Sequence, residues 1–337
     1  PMFGENMVDA LRVSCDILTK REGVMLINLF KKPQHGGLRE IYVMDIASRV
    51  LQFAIERLGR IICEEIPTET MTHVKMKTDY RPYHFSKVYS DPLSKRADIT
   101  IISGFDCSDM DKWNQLHHII KFFIMTMALT DSRVHGFLKI VFSMWLNKRI
   151  QLESKLLTSM YHGTYKPTSP LAQVLVDGFR GIKDTPIIKK QHRAMHIESG
   201  MMQGLLHFIS SAFHGIATFG AIEICSRLMK KVRHRLQIEM KREIILKPFQ
   251  TIAVSSDDSV NCHSFITNLP AGHVVAYCLV PCSIAIRTLN QFLGMVPSIK
   301  KSAFCTVPIS EFNSMWFGSR GVYKPSTRHI LACFSTA

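Results

Sequence analysis

Two acidic clusters stand far apart in this chain of 337 residues. Asp106, Asp109 and Asp111 follow the apolar run Ile99-Thr100-Ile101-Ile102 and Gly104. Asp257 and Asp258 sit in the polar pentad Ser255 to Ser259, between Thr251–Val254 and Val260–Ile266. Short runs of β-branched residues bounded by Gly, Ser and Asp read as strands, the second pair joined by an acidic turn. If those strands lie side by side, their carboxylates converge, and hard oxygen ligands on a rigid sheet are what two Mg²⁺ or Mn²⁺ ions require. Two such ions activate a 3′-hydroxyl and stabilise leaving pyrophosphate in an in-line displacement. Asp pairs are also ordinary turn formers, so spacing alone leaves both readings open.

The rest of the chain must position these groups. With 46% hydrophobic and 20% charged residues it can bury a core as one large domain or two smaller ones, which excludes intrinsic disorder. Lys and Arg number 42 against 27 Asp and Glu, a formal charge of +15 with pI near 9.5. That balance points to a polyanionic partner or a basic groove, with nucleic acid and anionic membrane both open. The nine cysteines are scattered without a CxxC pair and no signal peptide is evident, which argues against a disulfide framework or zinc site and for a reducing compartment. The 18 Met and 20 Phe read as core. Because the chain opens on Pro1 with sequence typical of a protein interior, a fragment of a longer polypeptide is expected.

Periodicity predicts a helix through Ile46, Val50, Leu51, Ala54, Ile55, Leu58, Ile61 and Ile62, after a basic glycine-containing stretch from Lys31 to Arg39. Pro67 to Ala97 has no clear period and reads as loop packed over something else. Helices are expected over Gln115–Ala128 and Asp131–Ser159, then a Pro- and Gly-containing connection to about Lys190, then helix again from Met195 to Ile245. Val280–Met295 reads as helix and Ala303–Val307 as strand. Gly204 to Ile222 lacks formal charge over nearly a membrane-spanning length, but His207, Ser210, Ser211 and His214 occupy its first half. A buried helix whose polar stripe faces a site is the expected outcome, not membrane insertion. The order is mixed α and β, with long helical insertions between strands.

Six segments carry a resemblance. Asp109-Met110-Asp111-Lys112-Trp113-Asn114 resembles motif A (D-x-x-K-W) of the RNA-dependent RNA polymerases of segmented negative-strand viruses. Gln203 to Ser211 resembles their motif B, and Ser256-Asp257-Asp258 their motif C, with serine where many positive-strand enzymes have glycine. Upstream, Lys32-Pro33-Gln34-His35-Gly36-Gly37-Leu38-Arg39-Glu40-Ile41 is similar to the basic pre-A motif, also called F. Downstream, Lys300-Lys301-Ser302 resembles motif D, and Glu311 to Ser314 motif E (E-x-x-S). The motifs occur in the order F, A, B, C, D, E over most of the chain. The likeness is to the L proteins of bunyaviruses, on the phenuivirus-like side.

That resemblance implies an α+β right-hand polymerase: a palm of antiparallel sheet on helices, with helical finger insertions. It implies fingers with the F motif over 1–98, palm motif A over 99–130, a fingers insertion over 131–194, palm motifs B to D over 195–310, and motif E with the start of the thumb over 311–337. Motif A selects Asp109 as metal ligand, leaving Asp106 and Asp111 to turn or surface roles. Asp257 is the second ligand, with Asp258 beside it and Glu311 supporting the site or forming a structural salt bridge. Nucleotide contacts fall to Lys32, Arg39, Lys112, Asn114, Gln203, Gly204, Lys300 and Lys301. Among these, Arg39 and Lys32 pair with the triphosphate, Asn114 senses the 2′-hydroxyl, and Lys300 or Lys301 holds or protonates pyrophosphate. Ser210, Ser211 and His207 serve equally well as satisfied polar groups within a helix. The basic run Lys230, Lys231, Arg233 and Arg235 tracks RNA phosphates or is a solvated face.

The implied activity is template-directed nucleotidyl transfer to an RNA 3′ end, with two Mg²⁺ or Mn²⁺ ions. The implied partners are RNA template and nascent RNA, nucleoside triphosphates, the remainder of the polymerase and a nucleoprotein-coated genome, in host cytoplasm and virion. A second reading is a non-catalytic RNA-binding or assembly module, a degenerate polymerase relic; intact Asp109, Asp257, Asp258, Lys112 and Gly204 argue against decay. A reverse transcriptase shares the palm and its acids, but Lys112-Trp113 and Glu311 to Ser314 disfavour it.

Overall fold

The structure is a computed structural model and describes residues 5–34, 37–202, 204–306, 310–313, 315–318 and 321–323. In chain order these form α1 (Glu5–Lys20), β1 (Met25–Gln34), β2 (Gly37–Met44), α2 (Ile46–Glu64), α3 (Met76–Tyr89), β3 (Thr100–Asp109), α4 (Trp113–Leu116), α5 (Ile119–Leu129), α6 (His135–Met144), β4 (Lys148–Gln151), α7 (Ser154–His162), α8 (Pro170–Arg180) and β5 (Ala194–Ile197). There follow α9 (His207–Met240), β6 (Leu246–Ser255), β7 (Asp258–Thr267), α10 (Ala271–Val274), α11 (Val280–Phe292), β8 (Ala303–Thr306), β9 (Ser310–Phe312), β10 (Met315–Gly318) and β11 (Gly321–Tyr323). The expected mixture of α and β is borne out. The chain divides into two compact units, residues 1–58 with 114–206, and residues 59–113 with 207–337.

In the first unit the sheet order is β2-β1-β4-β5, with β1 antiparallel to β2 and parallel to β4. The basic stretch read without structure is therefore a hairpin whose register sets Lys32 opposite Arg39. The helix expected over Asp131–Ser159 is instead α6, β4 and α7. Its middle, Lys148-Arg149-Ile150-Gln151, is recruited as a strand between β1 and β5, so pairing across the sheet overrides local helical pattern. Lys148 is fully buried, its Nζ donating to the carbonyls of Trp145 and Glu198 (2.8 Å to the latter), and burial pulls its pKa down to about 8. The expected connection to Lys190 contains α8. Its signals are local: Ser169 Oγ accepts from Ala172 N–H at 3.2 Å, Pro170 opens the first turn, and Gly181 closes the helix at φ 71°.

In the second unit an antiparallel sheet in the order β6-β7-β3-β8 carries helices on both faces. One face packs Phe265 against Cys225 and Met229 of α9 and Cys278, Cys282 and Ile286 around α11. The other packs Phe105, Cys107, Val260 and Cys262 against Tyr80 of α3 and Phe312 and Phe317 of β9 and β10. Strand alternation explains the division: residues of opposite parity along β3 and β7 serve opposite faces. Pro67 to Ala97 is not loop throughout, since α3 occupies its centre. Tyr80, His84 and Val88 bury at four-residue spacing, a stripe masked in sequence by Pro82 and by the polar character of two of its members.

Helix also does not begin at Met195: β5 comes first and α9 starts at His207. In α9, Ile209 to Gly215 is buried on every side, after which Ala221, Cys225, Met229 and Leu236 form one buried stripe. The apolar-then-basic sequence records this passage from core to one-sided packing. Helices His207–Met240 and Ala271–Phe292 have the length and apolarity to cross a membrane; the first is a core helix here. Gly59 of α2 lets the Ile209 backbone approach, since a Cβ there would lie 2.7 Å from Ile209 N.

Three buried histidines tie the second unit to neutral pH. His84 bridges Thr251 Oγ1 (3.0 Å) and Ser264 Oγ (2.8 Å), His263 meets Gln250, and His214 meets Ser256. Burial pulls all three down to about 4. A histidine whose folded value lies below its unfolded 6.5 binds its proton preferentially when unfolded. Its contribution is full above pH 6.5 and is lost as pH falls towards 4, on the order of 3 kcal/mol each. Hydrogen-exchange protection of β6 and β7 should therefore fall steeply between pH 6.5 and 4; protection that stays flat over this window would refute neutral burial.

Candidate active site

The two acidic clusters meet. Strands β3 and β7 run antiparallel with Asp109 opposite Asp258, and Met110 N–H donates to the Asp257 carbonyl at 3.1 Å. Directly opposed residues of an antiparallel pair share a face, so Asp109 and Asp258 lie side by side at the sheet's end. Asp257 belongs to a two-residue hairpin loop, Ser256-Asp257, closed by the Ser255–Asp258 pair. Burial raises its pKa above the ordinary carboxylate range, and the Asp109 charge adds to the shift. Adding negative charge here is unfavourable, which is the electrostatic setting for a cation.

The hairpin turn is held from α9. Ser256 has φ 58°, a left-handed conformation that costs a non-glycine residue about 1–2 kcal/mol. Its N–H donates to Ser211 Oγ (3.0 Å), its carbonyl accepts from His214 Nδ1 (2.7 Å), and its Oγ lies 3.1 Å from His207 Nδ1. The carbonyl can only accept, so His214 carries its proton on Nδ1. The polar stripe of the uncharged segment faces the acidic turn, as its residue pattern predicts. Trp113 also reaches this stripe, with Nε1 3.4 Å from Ser210 Oγ and its ring centroid 5.3 Å from that of His214.

From the other side, residues 296–302 strap along Asp109. Ser298 N–H donates to the Asp109 carbonyl (2.7 Å), Asp109 N–H donates to Ser302 Oγ (3.2 Å), and Asp111 N–H donates to the Val296 carbonyl (2.7 Å). Lys301 Nζ lies 3.2 and 3.4 Å from the two Asp109 carboxylate oxygens, while Lys300 is exposed. Lys301 is itself 67% exposed, and an exposed pair adds only about 0–1 kcal/mol, so fold stability does not account for it. Lys112 is exposed in the turn after β3 with φ 48°. Glu311 lies in β9, in register with Trp316 of β10.

Asp106 corrects an expectation. It is neither a turn former nor a surface group: it is fully buried in β3, accepting from Ser283 Oγ and, in a fork, from Arg287. A sequence cannot show this pair, because its members stand 181 positions apart. Asp111 is exposed, as expected.

The remaining candidates belong to the first unit or to the surface. Lys32 and Arg39 face each other in the β1–β2 register, Asn114 carbonyl accepts from Met201 N–H at 2.8 Å, and Gly204 is exposed with φ 80°. Gln203, His35, Gly36 and Ser314 lie outside the described residues. Lys230, Lys231, Arg233 and Arg235 are exposed along α9, Arg235 pairing with Glu239 at 2.7 Å. Among the described residues no three His, Cys, Asp or Glu side chains gather into a closed metal cage. The carboxylates at the strand end, Asp109, Asp257 and Asp258, are hard oxygen donors of the kind Mg²⁺ takes, its shell being completed by substrate phosphates and water.

The family model described as Bunyavirus RNA dependent RNA polymerase matches residues 8–337. The chain belongs to the bunyavirus RNA-dependent RNA polymerase family. RNA-directed RNA polymerase L of Rice stripe virus (isolate T) is 33% identical over 336 residues, 97% of this chain and 11% of that protein. The same-named protein of Uukuniemi virus (strain S23) is 33% identical over 316 residues, 93% of this chain and 14% of its own length. That of Dabie bandavirus is 30% identical over 318 residues, 92% and 14% respectively. This polymerase-family chain thus spans 11–14% of the length of these relatives. The bunyavirus resemblance is borne out, and the segments resembling motifs A and C meet where the end of β3 lies against the turn of the β6–β7 hairpin.

Sequence reasoning missed Glu69 and Arg287, and gave Ser302 no role beyond its place in the segment resembling motif D. Glu69 is fully buried, with Ser211 Oγ donating to it at 2.6 Å, and lies in a segment without hydrophobic period. Ser302 was visible only as the residue after two lysines.

Proposed function

We propose that this chain is the palm-and-fingers core of an RNA-dependent RNA polymerase that adds nucleoside monophosphates to an RNA 3′ end and releases pyrophosphate. The observation that carries the reading is the register of Asp109 with Asp258 and the Asp257 turn, in a chain of this family. Fingers comprise 1–98 and 131–194, palm 99–130 and 195–310, and 311–337 begins the thumb.

Asp109 and Asp257 are the principal metal ligands, with Asp258 beside them and Glu311 in support. Two Mg²⁺ or Mn²⁺ ions, when bound there, supply activation of the 3′-hydroxyl and charge stabilisation for the leaving pyrophosphate. The chain's own groups do the rest. Lys301, already on Asp109, is better situated than Lys300 to hold pyrophosphate or give it a proton. Lys32 and Arg39, opposite each other in one hairpin, offset triphosphate charge, with Lys112, Asn114, Gln203 and Gly204 about the nucleotide. The exposed basic face of α9 follows RNA phosphates, and α9 stays in the core without membrane insertion. The remainder of the polymerase and a nucleoprotein-coated genome complete the working assembly, in host cytoplasm and virion.

The test is RNA-templated nucleotide incorporation by the full-length parent polymerase in Mg²⁺ or Mn²⁺. The reading predicts incorporation that chelation of the divalent ion abolishes. RNA binding without incorporation, in a complete and folded protein, would favour the assembly module instead.

A further inference from the structure

A carboxylate outside every resembling motif is linked to the acidic turn through one serine. Glu69 is fully buried, which costs a carboxylate several kcal/mol unless hydrogen bonds replace water. It accepts from Met71 N–H (3.1 Å), Thr72 N–H (2.9 Å), Thr72 Oγ1 (2.8 Å) and Ser211 Oγ (2.6 Å). Its backbone is tied to β6 just before the turn: Val254 N–H donates to the Thr68 carbonyl at 3.1 Å and Thr70 N–H to the Val254 carbonyl at 2.8 Å. The segment thus extends β6 at its edge, in parallel register at Glu69 and Val254.

The fourth contact matters most. A serine hydroxyl has one proton and two lone pairs. Because an ionised carboxylate only accepts, Glu69 commits the Ser211 proton to itself and leaves a Ser211 lone pair for the Ser256 N–H at 3.0 Å. Ser256 needs that hold. It sits at the first central position of a two-residue hairpin with φ 58°, a conformation in which glycine is the unstrained residue. Asp257 is the next residue, so the conformation fixed at Ser256 sets where that carboxylate projects.

We propose that Glu69 is a positioning residue for the metal-binding turn, acting through Ser211 to keep Ser256 left-handed. The inference rests on the polymerase reading for its link to activity, but its structural core is the relay Glu69–Ser211–Ser256. Glu69→Gln is nearly isosteric yet fails as a replacement: the Met71 and Thr72 N–H groups address different carboxylate oxygens, so either orientation of the amide sets its NH2 against a backbone N–H from which it cannot accept.

The experiment uses the full-length polymerase as wild type, Glu69→Gln, and Glu69→Gln with Ser256→Gly. Three quantities are read: Mn²⁺ affinity by electron paramagnetic resonance titration, templated incorporation, and RNA binding. Glu69→Gln should weaken Mn²⁺ binding and slow incorporation by about 10–100-fold, the range for groups supporting metal ligands, with RNA binding unchanged. The double variant should recover most of the Mn²⁺ affinity, since glycine takes the left-handed conformation unaided. Unchanged Mn²⁺ affinity in Glu69→Gln, loss of RNA binding with it, or no recovery in the double variant would each overturn the proposal. A wild type that binds Mn²⁺ but incorporates nothing would refute the polymerase reading, while the Mn²⁺ titrations still decide the role of Glu69.

Discussion

Asp257→Asn in the full-length polymerase should reduce templated incorporation on the order of a thousandfold and leave RNA binding intact. The substitution keeps size and turns a charged carboxylate into a neutral amide, which takes one principal ligand from the proposed metal site. Metal ions contribute several kcal/mol of charge stabilisation to displacements of this kind, and each 1.4 kcal/mol is about tenfold in rate. In the function proposed above, RNA contacts fall to the exposed cations along α9, Lys230 to Arg235, which the substitution leaves unchanged. Primer-extension rates and filter binding on the same preparation separate the two effects. Equal loss of both would mean that Asp257 holds the fold and not the metal.

The second large effect is structural. Arg287→Ala should destabilise the second unit by about 3–5 kcal/mol, the usual consequence of leaving a buried charge without its partner. Asp106 is fully buried, Arg287 Nε lies 3.1 and 3.2 Å from its two carboxylate oxygens, and Arg287 Nη2 donates to the Ala303 carbonyl at 3.2 Å. One guanidinium thus ties together β3, α11 and β8. Hydrogen exchange of β3 and β7 amides is the measurement, and protection should fall by about a hundredfold or more. Replacing both Asp106 and Arg287 by leucine should recover much of that protection, since an apolar pair leaves no charge behind. Protection unaffected by Arg287→Ala would show that Ser283 alone satisfies Asp106.

Legibility in the sequence followed the range of the interactions involved. The β6–β7 hairpin was readable because its signal is local: alternating runs flanking a polar turn. The helix over Ile46–Glu64 was readable for the same reason, its apolar stripe lying within one element. Strand β4 was not, because its reason for being a strand lies in β1 and β5 and not in its own four residues. Helix α3 hid behind Pro82 and a buried stripe containing His84 and Tyr80. Asp109 and Asp257 emerged through motif likeness, and the register then brought their strands together. Asp106 was misjudged because acidity beside a strand end looks alike whether the residue points into the core or out of it. Glu69 left no trace, since its partners are backbone N–H groups and hydroxyls that any stretch of chain can offer.

The central claim is that Asp109 and Asp257 jointly hold divalent cations at the end of the β3–β7 pair. The most direct measurement is anomalous diffraction at the manganese edge from crystals of the full-length polymerase with Mn²⁺, primer-template and a non-hydrolysable nucleotide. The account predicts manganese peaks within about 2.0–2.3 Å of carboxylate oxygens of both Asp109 and Asp257. Manganese bound elsewhere, with those two carboxylates uncoordinated in an incorporation-competent complex, would contradict it.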